Sequence, residues 1–275
     1  MTFTRSIARW LLPGGVREAL LRLPGFGISF SGRFEDWHQA AEKAEGYDSE
    51  QLLQKLTANS LLARDTQSVE RDGSVLQELE SQPPFTLLSA LNLTCSIASR
   101  HLSVLDIGGA LGTHYRSCRP FLAHASSVSW RVVEQQGLVE SGRQNFQNDE
   151  LGFYPSIETT VRCGDMPNFA LMSAVLQYLP HPWKTLEDVA HLAPQVVMID
   201  RLPVDHSGNN WATVQKVPSP ISSSYASWVF ERASIFAPLT QRGYRLWAKF
   251  NAIDGVLGFG KKRISYIGAI FYRNA

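Results

Sequence analysis

The residues with the clearest capacity for chemistry lie in the stretch Val104–Tyr115, VLDIGGALGTHY. An apolar run, Leu102–Leu105, ends in the carboxylate of Asp106 and gives way to Gly108, Gly109 and Gly112. Glycine in such a turn lets a ligand reach the backbone, because a side chain there would hold it off. Strand, glycine-bearing turn and helix together cradle a nucleotide-like ligand at the carboxyl end of the strand. A second carboxylate, Glu134, follows the apolar run Val128–Val133. The paired oxygens of an acid in that position accept hydrogen bonds from both hydroxyls of a ribose. Further along, Leu202–Ala226 collects Asp205, His206, Trp211 and Tyr225, groups suited to proton transfer, hydrogen bonding and stacking on a polar acceptor.

Glycine spacing discriminates among ligands. A dinucleotide turn wants Gly-x-Gly-x-x-Gly, and from Gly108 that frame meets Ala110 and Thr113, which argues against a pyrophosphate cofactor. A nicotinamide-dependent reductase is further weakened by the lack of a Tyr-x-x-x-Lys pair near the fourth strand. Asp106 followed by Gly108 and Gly112 instead resembles the first motif of class I S-adenosylmethionine-dependent methyltransferases, Asp/Glu-x-Gly-x-Gly-x-Gly. Ala110 replaces the middle glycine, a departure of one methyl. A second, more specific resemblance is carried by Phe30, Ser31, Gly32, Phe34, Trp37 and Ala40, followed by Gly46-Tyr47-Asp48. This arrangement is similar to the N-terminal signature of a family of bacterial methyltransferases often associated with surface-polysaccharide gene clusters. The similarity runs from about Phe30 nearly to the C-terminus.

The resemblance implies S-adenosylmethionine as cofactor. Asp106, Gly108, Gly109, Ala110 and Gly112 would stand near its methionine part, Glu134 at the ribose, Asp165 and Met166 at the adenine, and Ser173 and Gln177 in the pocket wall. It further implies methyl transfer to a polar small molecule or a saccharide precursor, a reaction that needs a base when the acceptor is a hydroxyl. His206 and Asp205 are the first candidates, with His181 and His114 behind them. His114, Tyr115, Trp211 and Tyr225 are the expected acceptor contacts. Two departures, Ala170 in place of the usual acid and Gln177-Tyr178 where a histidine is often seen, join Ala110 in motivating the alternative: a non-catalytic binding or scaffolding protein with a methyltransferase fold.

The elements that must position these groups follow from periodicity. From Leu102 onward strands and helices alternate, which predicts a mostly parallel sheet covered on both faces. The methyltransferase resemblance implies that this is a Rossmann-like sheet with its last strand antiparallel. Strands are expected at Val128–Val133, Ile157–Arg162, Phe169–Pro180, Val196–Asp200, Tyr244–Phe250 and Ile264–Tyr272. Helices are expected at Gln136–Phe146, Trp183–Leu192 and Trp228–Gln241, with Leu202–Ala226 as a long functional loop. Residues 1–100 read as a helical extension capping a domain of residues 101–275. Within the extension, Phe34, Trp37, Ala40 and Ala41 recur at helical spacing, and Ser49–Arg64 and Phe85–Arg100 continue as helices. Residues 1–28 form two basic amphipathic pieces. Packing on the chain's own domain or on a second copy is favoured for them over contact with an anionic membrane surface.

Composition bounds the rest. With 275 residues, 44% of them hydrophobic and 19% charged, the chain forms a core. A net charge of +1 argues against a nucleic-acid partner. Cys95, Cys118 and Cys163 are odd in number and lack metal-ligand spacing. They point to buried thiols in a reducing cytoplasm and to no metal site. No apolar run approaches the roughly 20 residues of a bilayer span, and the N-terminus lacks the shape of a signal peptide.

Overall fold

The computed structural model describes residues 28–46, 50–66, 69–71, 74–76, 83–164, 166–205, 208–217, 223–259 and 262–273. The strands in chain order are β1 (Ser29–Phe34), β2 (Val69–Arg71), β3 (Ser74–Leu76), β4 (His101–Ile107), β5 (Ser127–Val133), β6 (Leu151–Tyr154), β7 (Phe169–Ser173), β8 (Val196–Val204), β9 (Trp211–Val217), β10 (Ser223–Val229), β11 (Arg245–Phe259) and β12 (Lys262–Tyr272). The helices are α1 (Trp37–Ala41), α2 (Glu50–Asp65), α3 (Phe85–Ile97), α4 (Thr113–Cys118), α5 (Gln136–Asn145), α6 (Ile157–Arg162), α7 (Pro182–Leu192) and α8 (Arg232–Gln241).

A seven-stranded sheet, in the order β11-β12-β8-β7-β4-β5-β6, carries the fold. Strands β6, β5, β4, β7 and β8 run parallel, while β12 is antiparallel to both β8 and β11. Counted along the chain within this sheet, the order is 3-2-1-4-5-7-6 with the seventh strand reversed, the Rossmann-like class I methyltransferase arrangement. Alternation along the central strands divides the core. Leu102, Val104, Phe169, Leu171 and Met198 face one way, with Leu91 of α3 and Trp130 of β5. Leu105, Ile107, Ala170, Met172 and Ile199 face the other, with Leu186 and Val189 of α7 and Leu239 of α8. Burial on both faces explains why β4 and β7 read as nearly continuous apolar runs.

Three expectations are corrected. Ile157–Arg162 is helix α6, not a strand; Ser156 opens it by accepting from Thr159 N, while the Thr159 side chain accepts from Ser156 N. This reciprocal capping box outweighs the alternation of Ile157, Thr159 and Val161. The third strand is instead β6, four residues long. Second, Leu202–Ala226 is not a long loop. Strand β8 runs on to Val204, and β9 and β10 form an antiparallel sheet with β1 in the order β1-β9-β10. The segment's polarity misleads because its polar side chains are buried and bonded: Thr213 Oγ1 donates to Gly32 O at 2.8 Å, and Tyr178 Oη and the Gln215 side chain bond each other. Strand β10 also takes Trp228 and Val229, so α8 begins only at Arg232, where Glu231 caps it by accepting from Ala233 N and Ser234 N. Third, the segment before residue 100 is not wholly helical. Phe30 and Phe34 belong to β1, α1 starts at Trp37 behind the Asp36 cap, and β2–β3 is a hairpin. Because β1 pairs with β9, the segment before residue 100 shares a sheet with residues far beyond it. Residues 1–27, the bulk of the two amphipathic pieces, lie outside the described residues. Among the described residues no helix is long and apolar enough to cross a membrane.

Candidate functional site

The sheet register brings the chemistry-bearing residues together. Ile107 stands opposite Val133 on one side and Met172 on the other, and Ser173 stands opposite Asp200. Gly108, Glu134 and Ala174 therefore follow the carboxyl ends of β4, β5 and β7, and Arg201 lies beside them just past the β7-paired part of β8, along the edge where an open α/β sheet binds ligands. Backbone bonds continue the ladder one step further: Gly108 N donates to Val133 O at 2.9 Å and Ala174 N to Asp200 O at 3.0 Å.

The turn after β4 is packed so closely that its glycines have no room for a side chain. A Cβ at Gly108 would stand 2.5 Å from Val175 Cγ2, one at Gly109 2.5 Å from Asp106 Oδ2, and one at Gly112 2.9 Å from Leu151 Cδ2. Gly108 and Gly112 also adopt left-handed backbone, with φ of +72° and +83°. Ala110 shares that conformation at φ +49°. Its departure from the motif thus brings a strained backbone as well as an extra methyl.

Two carboxylates brace the turn. Asp106 is fully buried; its Oδ2 accepts from Trp130 Nε1 at 3.0 Å and from His114 Nδ1 at 3.1 Å. Its Oδ1 is buried with no hydrogen-bond partner among the described residues. Glu134 Oε1 accepts from Ala110 N at 3.1 Å and Oε2 from Gln135 N at 3.0 Å. Burial pushes the Glu134 carboxyl above the usual range, more than those two N–H groups pull it down. Burial likewise raises Asp200, against its bond from Arg201 N and the Arg201 charge. For His114, burial pulls the imidazole down, but the charge and hydrogen bond of Asp106, with the charge of Asp200, outweigh it. The net direction is up.

The wall beyond β7 and β8 was only partly foreseen. Ser173 ends β7 at the crevice. Gln177 is buried, donates through Nε2 to Arg201 O at 3.4 Å and keeps Oε1 without a described partner. Arg201 reaches from β8 to Asp254 of β11 through a two-pronged ion pair at 2.8 and 2.7 Å. Sequence reasoning did not single out Val175, Asp200, Arg201 or Asp254. Asp200 was legible as the acid ending an apolar run, whereas no local signal marks Asp254.

Several expected residues stand elsewhere. Asp165 and His206 lie outside the described residues. The Met166 side chain is exposed. Tyr115 is buried against Trp130, and its hydroxyl donates to Glu150 Oε2 at 2.8 Å, so it faces the core rather than an acceptor. Trp211 is 1% exposed. Its Nε1 donates to Asp205 Oδ2 at 2.9 Å, and Arg33 lies over its ring. Trp211 therefore has no free face for stacking, and the Asp205 carboxylate is committed to a buried indole. Tyr225 is buried with its ring edge against Tyr178. The Tyr115 hydroxyl and the Trp211 indole are thus satisfied inside the fold, by Glu150 and Asp205. Among the described residues no group of three or more His, Cys, Asp or Glu side chains could hold a metal ion.

No protein-family model matches the chain, and no curated protein sequence matches it. Solved structures do. The chain is similar to an O-methyltransferase family protein from Burkholderia thailandensis, at 11% identity over 83% of this chain and 61% of that one, with a TM-score of 0.49. It is similar to the N-terminal domain of EvdMO1 with SAH bound, at 13% identity over 79% and 97% of the two chains, with a TM-score of 0.47. It is also similar to magnesium protoporphyrin IX methyltransferase (ChlM) from Synechocystis PCC 6803 with bound SAM, at 14% identity over 69% and 79%, with a TM-score of 0.42. These are likenesses at low identity, and the strand order itself defines the fold.

Proposed function

We propose that this chain is an S-adenosylmethionine-dependent methyltransferase acting on a polar small molecule or a saccharide precursor. The observation that carries the reading is the turn from Gly108 to Gly112, closed to any Cβ at its glycines and tied through Ala110 N to Glu134. It stands at the carboxyl edge of a class I methyltransferase sheet.

The residues fit such a cofactor in charge as well as shape. S-adenosylmethionine supplies a methyl group activated by a sulfonium, and it carries a second positive charge on its ammonium. Asp106, Glu134 and Asp200 provide an acidic surround for those charges. The unpartnered Asp106 Oδ1 is an acceptor waiting for a donor, from the ligand or from a bound water. Each Glu134 oxygen has one backbone partner and a further lone pair for a ribose hydroxyl. Gly108–Gly112 would lie along the methionine part, Ser173 and Gln177 would form the wall, and Asp165 with Met166 would reach the adenine. The chain's contribution to rate is mainly orientation, holding the acceptor in line with the methyl group. The saccharide acceptor and the link to surface polysaccharide rest on the sequence signature around Phe30–Ala40.

Calorimetry with S-adenosylmethionine tests the reading. Wild type should bind in the micromolar range, and Glu134→Ala, which removes the ribose-facing carboxylate without adding an atom to the packed turn, should abolish binding without unfolding the protein. A folded wild type that does not bind refutes it. Binding without turnover would favour the scaffolding alternative.

A further inference from the structure

We infer that His114 is the group that takes the acceptor's proton, and that the reacting end of the acceptor is an uncharged hydroxyl. The inference rests on the cofactor reading above and adds a base and an acceptor class to it.

His114 stands in the first turn of α4, directly after the glycine turn. Its Nδ1 meets Asp106 Oδ2 at 3.1 Å, and that carboxylate is itself fully buried and braced by the Trp130 indole. A carboxylate at Nδ1 selects the tautomer with the proton on Nδ1, which leaves a lone pair on Nε2. Among the described residues Nε2 has no hydrogen-bond partner, and the side chain is 27% exposed. The imidazole is thus anchored through Nδ1 and remains partly exposed. His114 follows the glycine turn beyond the carboxyl end of β4 and contacts Asp106 of that strand, at the sheet edge from which Ala174 and Arg201 also emerge. Asp205 is committed to Trp211.

The charges also select the acceptor. Asp106, Glu134 and Asp200 disfavour an incoming carboxylate or phosphate oxygen, and the Arg201 charge is already matched by Asp254. An anionic oxygen would need no base, whereas a hydroxyl has a high pKa and does. In the step itself the acceptor O–H bond breaks and its proton passes to Nε2. An oxygen lone pair forms the new O–C bond to the methyl carbon, and the C–S bond breaks with its electron pair kept by sulfur, leaving a neutral thioether. The imidazolium formed is stabilised by Asp106 and later returns its proton to solvent. Because the net balance of burial, Asp106, Asp200 and Arg201 raises His114 above 6.5, transfer should rise with pH and level off above that raised value.

The test compares wild type with His114→Gln. Both should bind S-adenosylhomocysteine equally by calorimetry; no binding by wild type would instead sink the cofactor reading. Nitrogen-15 NMR of the labelled wild type should show the neutral His114 ring protonated at Nδ1, and a ring protonated at Nε2 would overturn the inference independently of turnover. Methyl transfer is then followed with methyl glycosides, nucleotide-linked sugars and polyols, alongside carboxylates. The expected result is transfer to a hydroxyl acceptor, lowered about 10²–10⁴-fold in kcat by His114→Gln, with little change in KM and loss of the acidic limb of the pH profile. Wild-type turnover in the variant, transfer confined to carboxylates, or bound cofactor with no transfer to any hydroxyl would each overturn it.

Discussion

Replacing Ala110 by glycine reads out the strain in the glycine turn after β4. An L-residue in left-handed backbone costs roughly 1–2 kcal/mol, and Ala110 sits there at φ +49°. Glycine relieves that cost but adds about 0.4–1 kcal/mol of unfolded-state entropy and forfeits part of the roughly 0.8 kcal/mol that a buried methyl contributes. These add to a small net stabilisation, about 0.5 kcal/mol, where glycine normally destabilises. The control is Ala90, buried within α3. There Ala90→Gly loses about 1 kcal/mol of helix propensity and about 0.8 kcal/mol of methyl burial. The two variants should therefore differ by about 2 kcal/mol, seen in urea melts as separated midpoints at unchanged slope. Ala110→Gly falling as far as Ala90→Gly would refute the reasoning, since it would mean the backbone at position 110 is not strained.

Three further outcomes follow from the site. Gly108→Ala combines left-handed backbone with a 2.5 Å approach to Val175 and should cost roughly 2–5 kcal/mol by denaturant melts; a loss below 1 kcal/mol contradicts the packing. Burial holds the folded Glu134 carboxyl above its ordinary 4.5, so its ionisation works against the unliganded fold once pH exceeds that range. Glu134→Gln should accordingly match wild-type stability below about pH 4.5 and exceed it above the raised value, while binding S-adenosylmethionine about 10–100-fold more weakly at neutral pH. Asp205→Ala should lose about 1–3 kcal/mol by stranding the Trp211 indole N–H, and Asp205→Asn, which keeps an acceptor, should lose less and leave turnover intact.

What could be read in the sequence is what local pattern encodes. Leu102–Ile107 and Phe169–Met172 are buried on both faces, and such strands announce themselves as apolar runs whatever the tertiary context. The glycine turn is equally local, because its steric demand is met within Asp106–Gly112 and by the neighbouring Val175 and Leu151. The β1-β9-β10 sheet was hidden for the opposite reason. Its partners are far apart in sequence, Ser29 pairing with Lys216, and its interior carries Thr213 and Gln215, which read as loop until their bonds to Gly32 and Tyr178 are known. Asp254 was illegible for the same cause: its role depends on a β11 irregularity between Asn251 and Val256 and on Arg201, a residue of another strand.

The backbone itself marks the crevice. Six described non-glycine residues have positive φ: Ser99, Arg100, Ala110, Ala174, Ala193 and Arg201. Ser99 and Arg100 follow the end of α3, and Ala193 is the C-cap of α7, positions where left-handed closure is ordinary. The remaining three have no helix to close; each follows the carboxyl end of β4, β7 or the β7-paired part of β8. All three are held by bonds into the crevice rim: Ala110 N to Glu134, Ala174 N to Asp200 O, and Arg201 N to the Asp200 carboxylate. Strain of about 1–3 kcal/mol per residue persists only where surrounding contacts over-determine the conformation. Folding has therefore already met the cost of ordering this rim, and a ligand seated on it owes little further entropy. That is the arrangement expected of a site whose contribution to catalysis is orientation.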